Sequence, residues 1–361
     1  MPPIDPTSAR ILRDFPHTSP GIGCRFDPSG RFLFVSAQDS TIQRHDLITG
    51  AKTALEGHKS WVRGMAFIAG KKSAADELAK FEKRFDSLAA TIGYAAAMRN
   101  APAPSPFQLI SGDYHGNLVW WDGAAANPKP IRTVKAHDGW TRAVAVRPDC
   151  GTVASCGNDK LVKLWAPNGK LLSTLEGHTS HVYNVAFHPN GKSLASCDLL
   201  GTVKDWDLKT GKCLRDLDAK ALHKFDGVFL ADIGGARGMA FALDGTLLVS
   251  GITNVTNAFA GVGNPGVIAF GWADGKPKVL KPKETYQGTA WGVGTLPGGV
   301  TVAAGGGSGG RIWFWKGDAD TGIHTVTLAS NARDLAIHPA GDRIAVALAN
   351  GTASVYTLLA K

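Results

Sequence analysis

Residues 137–165 read HDGWTRAVAVRPDCGTVASCGNDKLVKLW. Within this stretch, Thr141 to Val146 alternates as a half-buried strand does, and the turn from Pro148 to Gly151 reverses the chain behind it. The same pattern recurs as GIGCRFDPSG from Gly21, VYNVAFHPNG from Val182, ARGMAFALDG from Ala236, AWGVGTLPGG from Ala290 and ARDLAIHPAG from Ala332. VRGMAFIAG from Val62 is a further copy that has lost its proline. Seven period-2 strands, each with a turn behind it, predict seven β units.

A second marker fixes the length of the unit. His17 and His45, His137 and Trp165, and His178 and Trp206 are each 28 residues apart; Gly-His recurs at His58 and His178, and Trp-Asp at Trp121 and Trp206. In combination these residues resemble the WD40-repeat family, from Ala9 to the C-terminus. The resemblance implies blades in which a His before the innermost strand, a Ser or Thr on the second, an Asp in the next turn and a Trp on the third form a buried hydrogen-bonded set. The full set is expected once, as His137, Ser155, Asp159 and Trp165. Leu200 holds the Asp position in the unit of His178, Ser196 and Trp206, and His115 holds it in the unit ending at Trp121. A buried polar group left unpaired costs about 1–3 kcal/mol, so these two units are expected to use apolar packing instead.

The expected fold is all-β: one seven-bladed β-propeller of four-stranded antiparallel blades spanning 1–361. Ile11 to Phe15 supplies the missing fourth strand of the C-terminal blade and so closes the ring. Successive inner strands start 41 or 42 residues apart in regular units, but 79 apart from Val62 to Thr141 and 54 apart on either side of Ala236. The first insertion, 71–106 in the second blade, has capping-box spacing at Ser73 and Asp76 and sets Leu78, Phe81, Phe85, Leu88 and Ile92 on one helical face. An amphipathic helix is expected there, packed under the propeller or docking a partner. The other two insertions map to top loops, where Phe225, Phe229 and Phe259 are the candidate apolar contacts.

Composition narrows the class. With 39 Lys and Arg against 30 Asp and Glu the formal charge is +9, which suits acidic partners without identifying one. Cys24, Cys150, Cys156, Cys197 and Cys213 show no paired spacing and read as buried small hydrophobes in a reducing compartment. No apolar run has signal-peptide or membrane-span length, so a cytoplasmic location and no membrane partner are expected.

Two motifs invite an enzymatic reading. Gly261 to Gly266, GVGNPG, has dinucleotide-fingerprint spacing, but a strand is predicted after it, from Gly266 to Trp272, where the fingerprint needs a helix. It reads as a long exposed hairpin tip after the strand Thr246 to Gly251. Gly306 to Gly310 satisfies Gly-x-Ser-x-Gly around Ser308, yet that nucleophile also lies in a predicted hairpin rather than at a strand-to-helix elbow. No metal-ligand spacing occurs among the histidines; no cofactor and no metal is expected.

Residues before and within the inner strands should gather at the top rim. They are Trp61, Arg63, Trp140, Arg142, His181, Tyr183, Arg237, Trp291 and Arg333, with no carboxylate among them. Arg and Trp dominate binding hot spots, and partners at this rim are what the family resemblance implies. The leading reading is a non-enzymatic scaffold for a protein or peptide, preferably acidic. Its alternatives are a lactonase-like metal-dependent hydrolase, which needs carboxylates converging on a metal, and a basic nucleic-acid-binding surface.

Overall fold

The computed structural model describes residues 4–69, 106–258, 261–317 and 319–360. Strands dominate them. The helices among the described residues are two short 3-10 turns, Pro6–Ser8 and Lys220–Leu222. The helix expected over 71–106 lies, apart from Pro106, outside the described residues.

The first repeat folds as one antiparallel sheet in the order Gly21–Phe26, Phe32–Ala37, Ile42–Asp46, Lys52–Leu55. Sheets of the same form start at Val62–Ile68, Thr141–Val146 and Val182–Phe187. The C-terminal sheet is assembled from both ends of the chain. Arg10–Phe15 pairs antiparallel with Ala353–Thr357, and the Ser354 hydroxyl donates to Asp14 at 2.6 Å.

The units starting at Gly238–Phe241 and Gly288–Leu296 also have four strands each, but a single pair, Gly263 with Gly288, joins them into one sheet of eight. That junction corrects the reading of GVGNPG. The hairpin arms run to Leu247–Asn257 and Val262–Phe270, with Pro265 opposite Ile252 and Asn264 opposite Thr253. Gly263, Pro265 and Gly266 are therefore buried strand residues and not an exposed tip. Proline is tolerated because the next ladder on that edge ends at Val267.

Apolar clusters lie between consecutive sheets. Val162 and Leu164 meet Val185 and Leu194 of the next sheet, and Leu33 and Val35 meet Ala345 and Ala347 of the last. Each innermost strand lies against the next, and Ala332–Ile337 lies against Gly21–Phe26. Of the cysteines, Cys24, Cys156 and Cys197 are buried as expected, whereas Cys213, on an outermost strand, is exposed and Cys150, in a turn, is half-buried.

Among the described residues the hydrogen-bonded set appears three times. Trp165 Nε1 donates to Ser155 Oγ (2.9 Å), the hydroxyl donates to His137 Nε2 (2.7 Å), and His137 Nδ1 donates to Asp159 (2.9 Å). Trp206, Ser196 and His178 repeat this at 2.7 and 2.6 Å, and His178 Nδ1 reaches Asp198 at 3.0 Å. Trp121, Ser111 and His58 do so at 2.8 and 2.7 Å, with Asp113 at 2.8 Å. Leu200 and His115 hold the position of Asp159, but a different carboxylate takes over its bond to the imidazole. The carboxylate stands two residues after the serine, at the end of the strand, so both units keep polar sets where apolar packing was expected. Burial, the largest influence on Asp113, raises its carboxyl, but bonds from His58 and Asn117 outweigh it and hold the group below the usual range.

The first sheet departs from this scheme. His17 bonds Asp39 at 2.7 Å, but the tryptophan position holds His45, which packs on Phe15 with ring centres 4.6 Å apart. Burial, followed by the nearby Lys52, His17 and Arg13, pushes His45 from 6.5 down to about 4. The unfolded chain takes up this proton near pH 6.5 and the folded chain only near 4. Stability is therefore full above about 6.5, falls as pH drops towards 4 and levels off below it. Thermal melts from pH 7 to 4 should show a smaller acid-side fall in His45→Phe than in the parent; equal slopes would rule His45 out as the titrating group.

Candidate binding surface

The innermost strands surround a central cavity of about 420 Å³, lined by residues of Gly21–Phe26, Val62–Ile68, Thr141–Val146, Val182–Phe187, Gly238–Phe241, Gly288–Leu296 and Ala332–Ile337. At its mouth most of the sequence candidates come together. Trp61 and Trp140 are 41% and 39% exposed, too open for core packing alone. Between them stands Tyr114, whose ring stacks on Trp140 at 4.0 Å and 3° and lies 6.0 Å from Trp61.

From Trp140 the arc alternates ring and cation. The Arg142 guanidinium lies 4.3 Å from the ring centres of both Trp140 and Tyr183. Arg237 lies 5.1 Å from Tyr183 and 5.0 Å from Trp291, and Arg63 lies 5.6 Å from Trp291. A cation over an aromatic face is attracted by the ring quadrupole, more strongly where water is displaced. The stack therefore fixes the guanidinium planes and leaves their edges to make hydrogen bonds.

The arginines differ in what those edges do. Arg63 donates to the carbonyls of Ile22 (2.7 Å), Arg333 (2.9 Å) and Arg237 (3.3 Å), tying distant parts of the chain together. Arg142 Nε donates to Asn158 Oδ1 at 2.7 Å. Arg237 Nε is buried and has no acceptor among the described residues. Burial is the main influence lowering the proton affinity of Arg237, and Arg142 and Arg63 add to it by like-charge repulsion. His181, between Arg142 and Arg237 in sequence, is held below the usual histidine range by burial, then by Arg142 and Lys160.

Arg333 gives its carbonyl to Arg63, but no ring or ion-pair contact among the described residues joins its side chain to the arc. The top loops do stand together: Lys224 Nζ donates to the Val255 carbonyl at 3.2 Å, and the hairpin of His223–Asp226 and Ala231–Gly234 exposes Phe225 and Phe229. Phe259 lies outside the described residues.

Beyond the rim residues, which include no carboxylate, one carboxylate among the described residues lines the channel. Asp334 is buried against Arg25 Nη1 (2.6 Å) and accepts from the Cys24 backbone N–H (3.0 Å). Sequence pairing by strand position missed Arg25 and Asp334, which lie three residues and one residue beyond the rim position of their strands. It missed Tyr114 because that residue follows a second strand.

Four-stranded antiparallel sheets pinned by His–Ser–Asp–Trp sets are consistent with a WD40-type β-propeller. The chain carries WD40 repeats: the family model "WD domain, G-beta repeat" matches residues 10–46, 128–166 and 169–207. Among curated proteins it is similar to the ubiquitin homeostasis protein lub1 of Schizosaccharomyces pombe, at 36% identity over 87 residues, 24% of this chain and 12% of that one. It is also similar to the nuclear distribution protein PAC1-2 of Uncinocarpus reesii, at 30% over 192 residues, 52% of this chain and 38% of that one. The small ribosomal subunit protein RACK1y of Oryza sativa subsp. japonica is 26% identical over 165 residues, 45% and 46% of the two chains. The matches span less than half the length of each of these relatives. No helix among the described residues is long and apolar enough to cross a membrane.

Proposed function

We propose that this protein is a non-enzymatic, cytoplasmic binding scaffold. It is a single seven-bladed propeller over 1–361, closed by the pairing of its first and last strands, with 71–106 inserted in the second blade. A protein or peptide, preferably acidic, is held at the channel mouth by Trp61, Trp140, Arg142, Tyr183, Arg237 and Trp291. The observation that carries this reading is the alternating ring–cation arc, which joins half-exposed tryptophans to guanidiniums whose planes are already fixed. A surface organised in advance loses little entropy on binding. The relative named small ribosomal subunit protein RACK1y is by its name part of a larger assembly, which supports a scaffold over a catalyst. The hydrolase alternative needs free carboxylates at the mouth, and Asp334 is occupied by Arg25.

The test compares partner capture by the parent protein and by a Trp61→Ala, Trp140→Ala variant whose circular dichroism melt is unchanged. Loss of two central aromatics should weaken a specific partner by about 30-fold or more, and the difference should survive nuclease treatment. Identical capture by both proteins would overturn the rim reading; a nuclease-sensitive difference would move it to nucleic acid.

A further inference from the structure

The cavity wall carries four guanidiniums, Arg25, Arg63, Arg142 and Arg237, and one carboxylate, Asp334. Two of the cations are already satisfied. Arg25 is paired with Asp334 and also donates to the Cys24 carbonyl at 2.6 Å, while Arg63 is held by its three carbonyls. Arg63, Arg142 and Arg237 all lack a counter-ion among the described residues, but Arg63 is tied down by its carbonyls, which leaves Arg142 and Arg237 to meet an anion.

Both of these rest on one phenol ring, that of Tyr183, and neither has a carboxylate partner among the described residues. Arg142 has committed Nε to Asn158, which leaves its terminal nitrogens. Arg237 is half-buried, lines the cavity, and has a buried Nε without an acceptor among the described residues. A buried donor without a partner is rare in folded proteins and marks a place where an acceptor belongs.

We propose that the channel mouth binds a phosphomonoester dianion between Arg142 and Arg237, with Tyr183 holding both forks in place. A single carboxylate offers two oxygens and one charge, enough for one guanidinium fork. A phosphomonoester offers three terminal oxygens and close to two charges, which serve two forks at once. The neighbouring Asn184 has committed one of its two amide N–H groups to the Ala236 carbonyl at 2.7 Å. This site deepens the scaffold reading by giving the acidic partner a chemistry.

Calorimetric titration at constant ionic strength tests it with phenyl phosphate, with benzoate as the monoanionic control. The parent protein binds phenyl phosphate more tightly than benzoate, and Arg142→Gln weakens the phosphate ester roughly tenfold to a hundredfold, as loss of hydrogen bonds to a charged group does. Arg142→Lys keeps the charge without the fork and recovers only part of the loss. A melt of each variant without ligand confirms folding. The source of the phosphate is read by comparing Ala-phosphoserine-Ala with ribose 5-phosphate: tighter peptide binding assigns the site to a phosphorylated partner, tighter sugar binding to a small metabolite. Equal binding of phenyl phosphate and benzoate, or an unchanged titration in folded Arg142→Gln, overturns the proposal. Phosphate binding without partner capture leaves this site standing and sinks only the scaffold reading, and the converse result does the reverse.

Discussion

Changing Asp198 to alanine lowers the unfolding free energy by about 3 kcal/mol, because removing one partner of a buried pair strands the other. Asp198 is fully buried and accepts from His178 Nδ1 and from the backbone N–H groups of Leu200 (3.0 Å) and Thr202 (2.9 Å). Its loss therefore breaks both the polar set and the turn that follows the strand. Asp198→Asn keeps an acceptor for the turn but gives up the charged partner of the imidazole, and should fall between alanine and the parent. The decisive comparison adds Leu200→Asp to Asp198→Ala. That places a carboxylate four residues after Ser196, the spacing that separates Ser155 from Asp159 in the preceding sheet. Urea melts should show part of the loss recovered; no recovery would mean that the two turns are not interchangeable.

The second large effect belongs to the glycine run that imitates a nucleophile elbow. A Cβ on Gly310 would stand 1.9 Å from the backbone oxygen of Ser330, and one on Gly307 would stand 2.4 Å from that of Gln287. Backbone atoms cannot swing aside as a side-chain tip does, so the strands would have to part. Gly310→Ala should cost about 3 kcal/mol or more, at the upper end of what overpacking does. Ser308 is exposed at the hairpin, and Ser308→Ala should change stability by less than about 0.5 kcal/mol. The glycines are there because neighbouring backbones approach closely, and the serine between them is incidental. Equal effects of the two substitutions in thermal melts would contradict this.

The repeat was legible in the sequence because His, Ser and Trp keep fixed distances within a blade. The carboxylate was not, because it can reach the same imidazole from the turn, as Asp159 does, or from the strand end, as Asp198 and Asp113 do. One-dimensional spacing sees these as different positions, whereas Nδ1 does not. The rim was legible as a set of residue types, since period-2 alternation places side chains reliably. What each arginine does was not. Arg63 and Arg142 occupy corresponding places in their strands, yet one is spent on three carbonyls and the other on a single amide oxygen. The hairpin of Leu247–Asn257 and Val262–Phe270 was misjudged because Gly, Asn and Pro signal a turn locally, and only the neighbouring strands decide that they pair.

The strand Arg10–Phe15, joined to Ala353–Thr357, also has a meaning for synthesis. Asp14 and Ser354 are 340 residues apart, so at ribosomal speeds the first strand waits on the order of half a minute for its partner to emerge. Five of its six residues remain exposed even in the finished protein, so few apolar side chains hold it in the meantime. Translation thus delivers nearly every sheet before the one that pairs Arg10–Phe15 with Ala353–Thr357, and until then the first strand presents an unpaired edge.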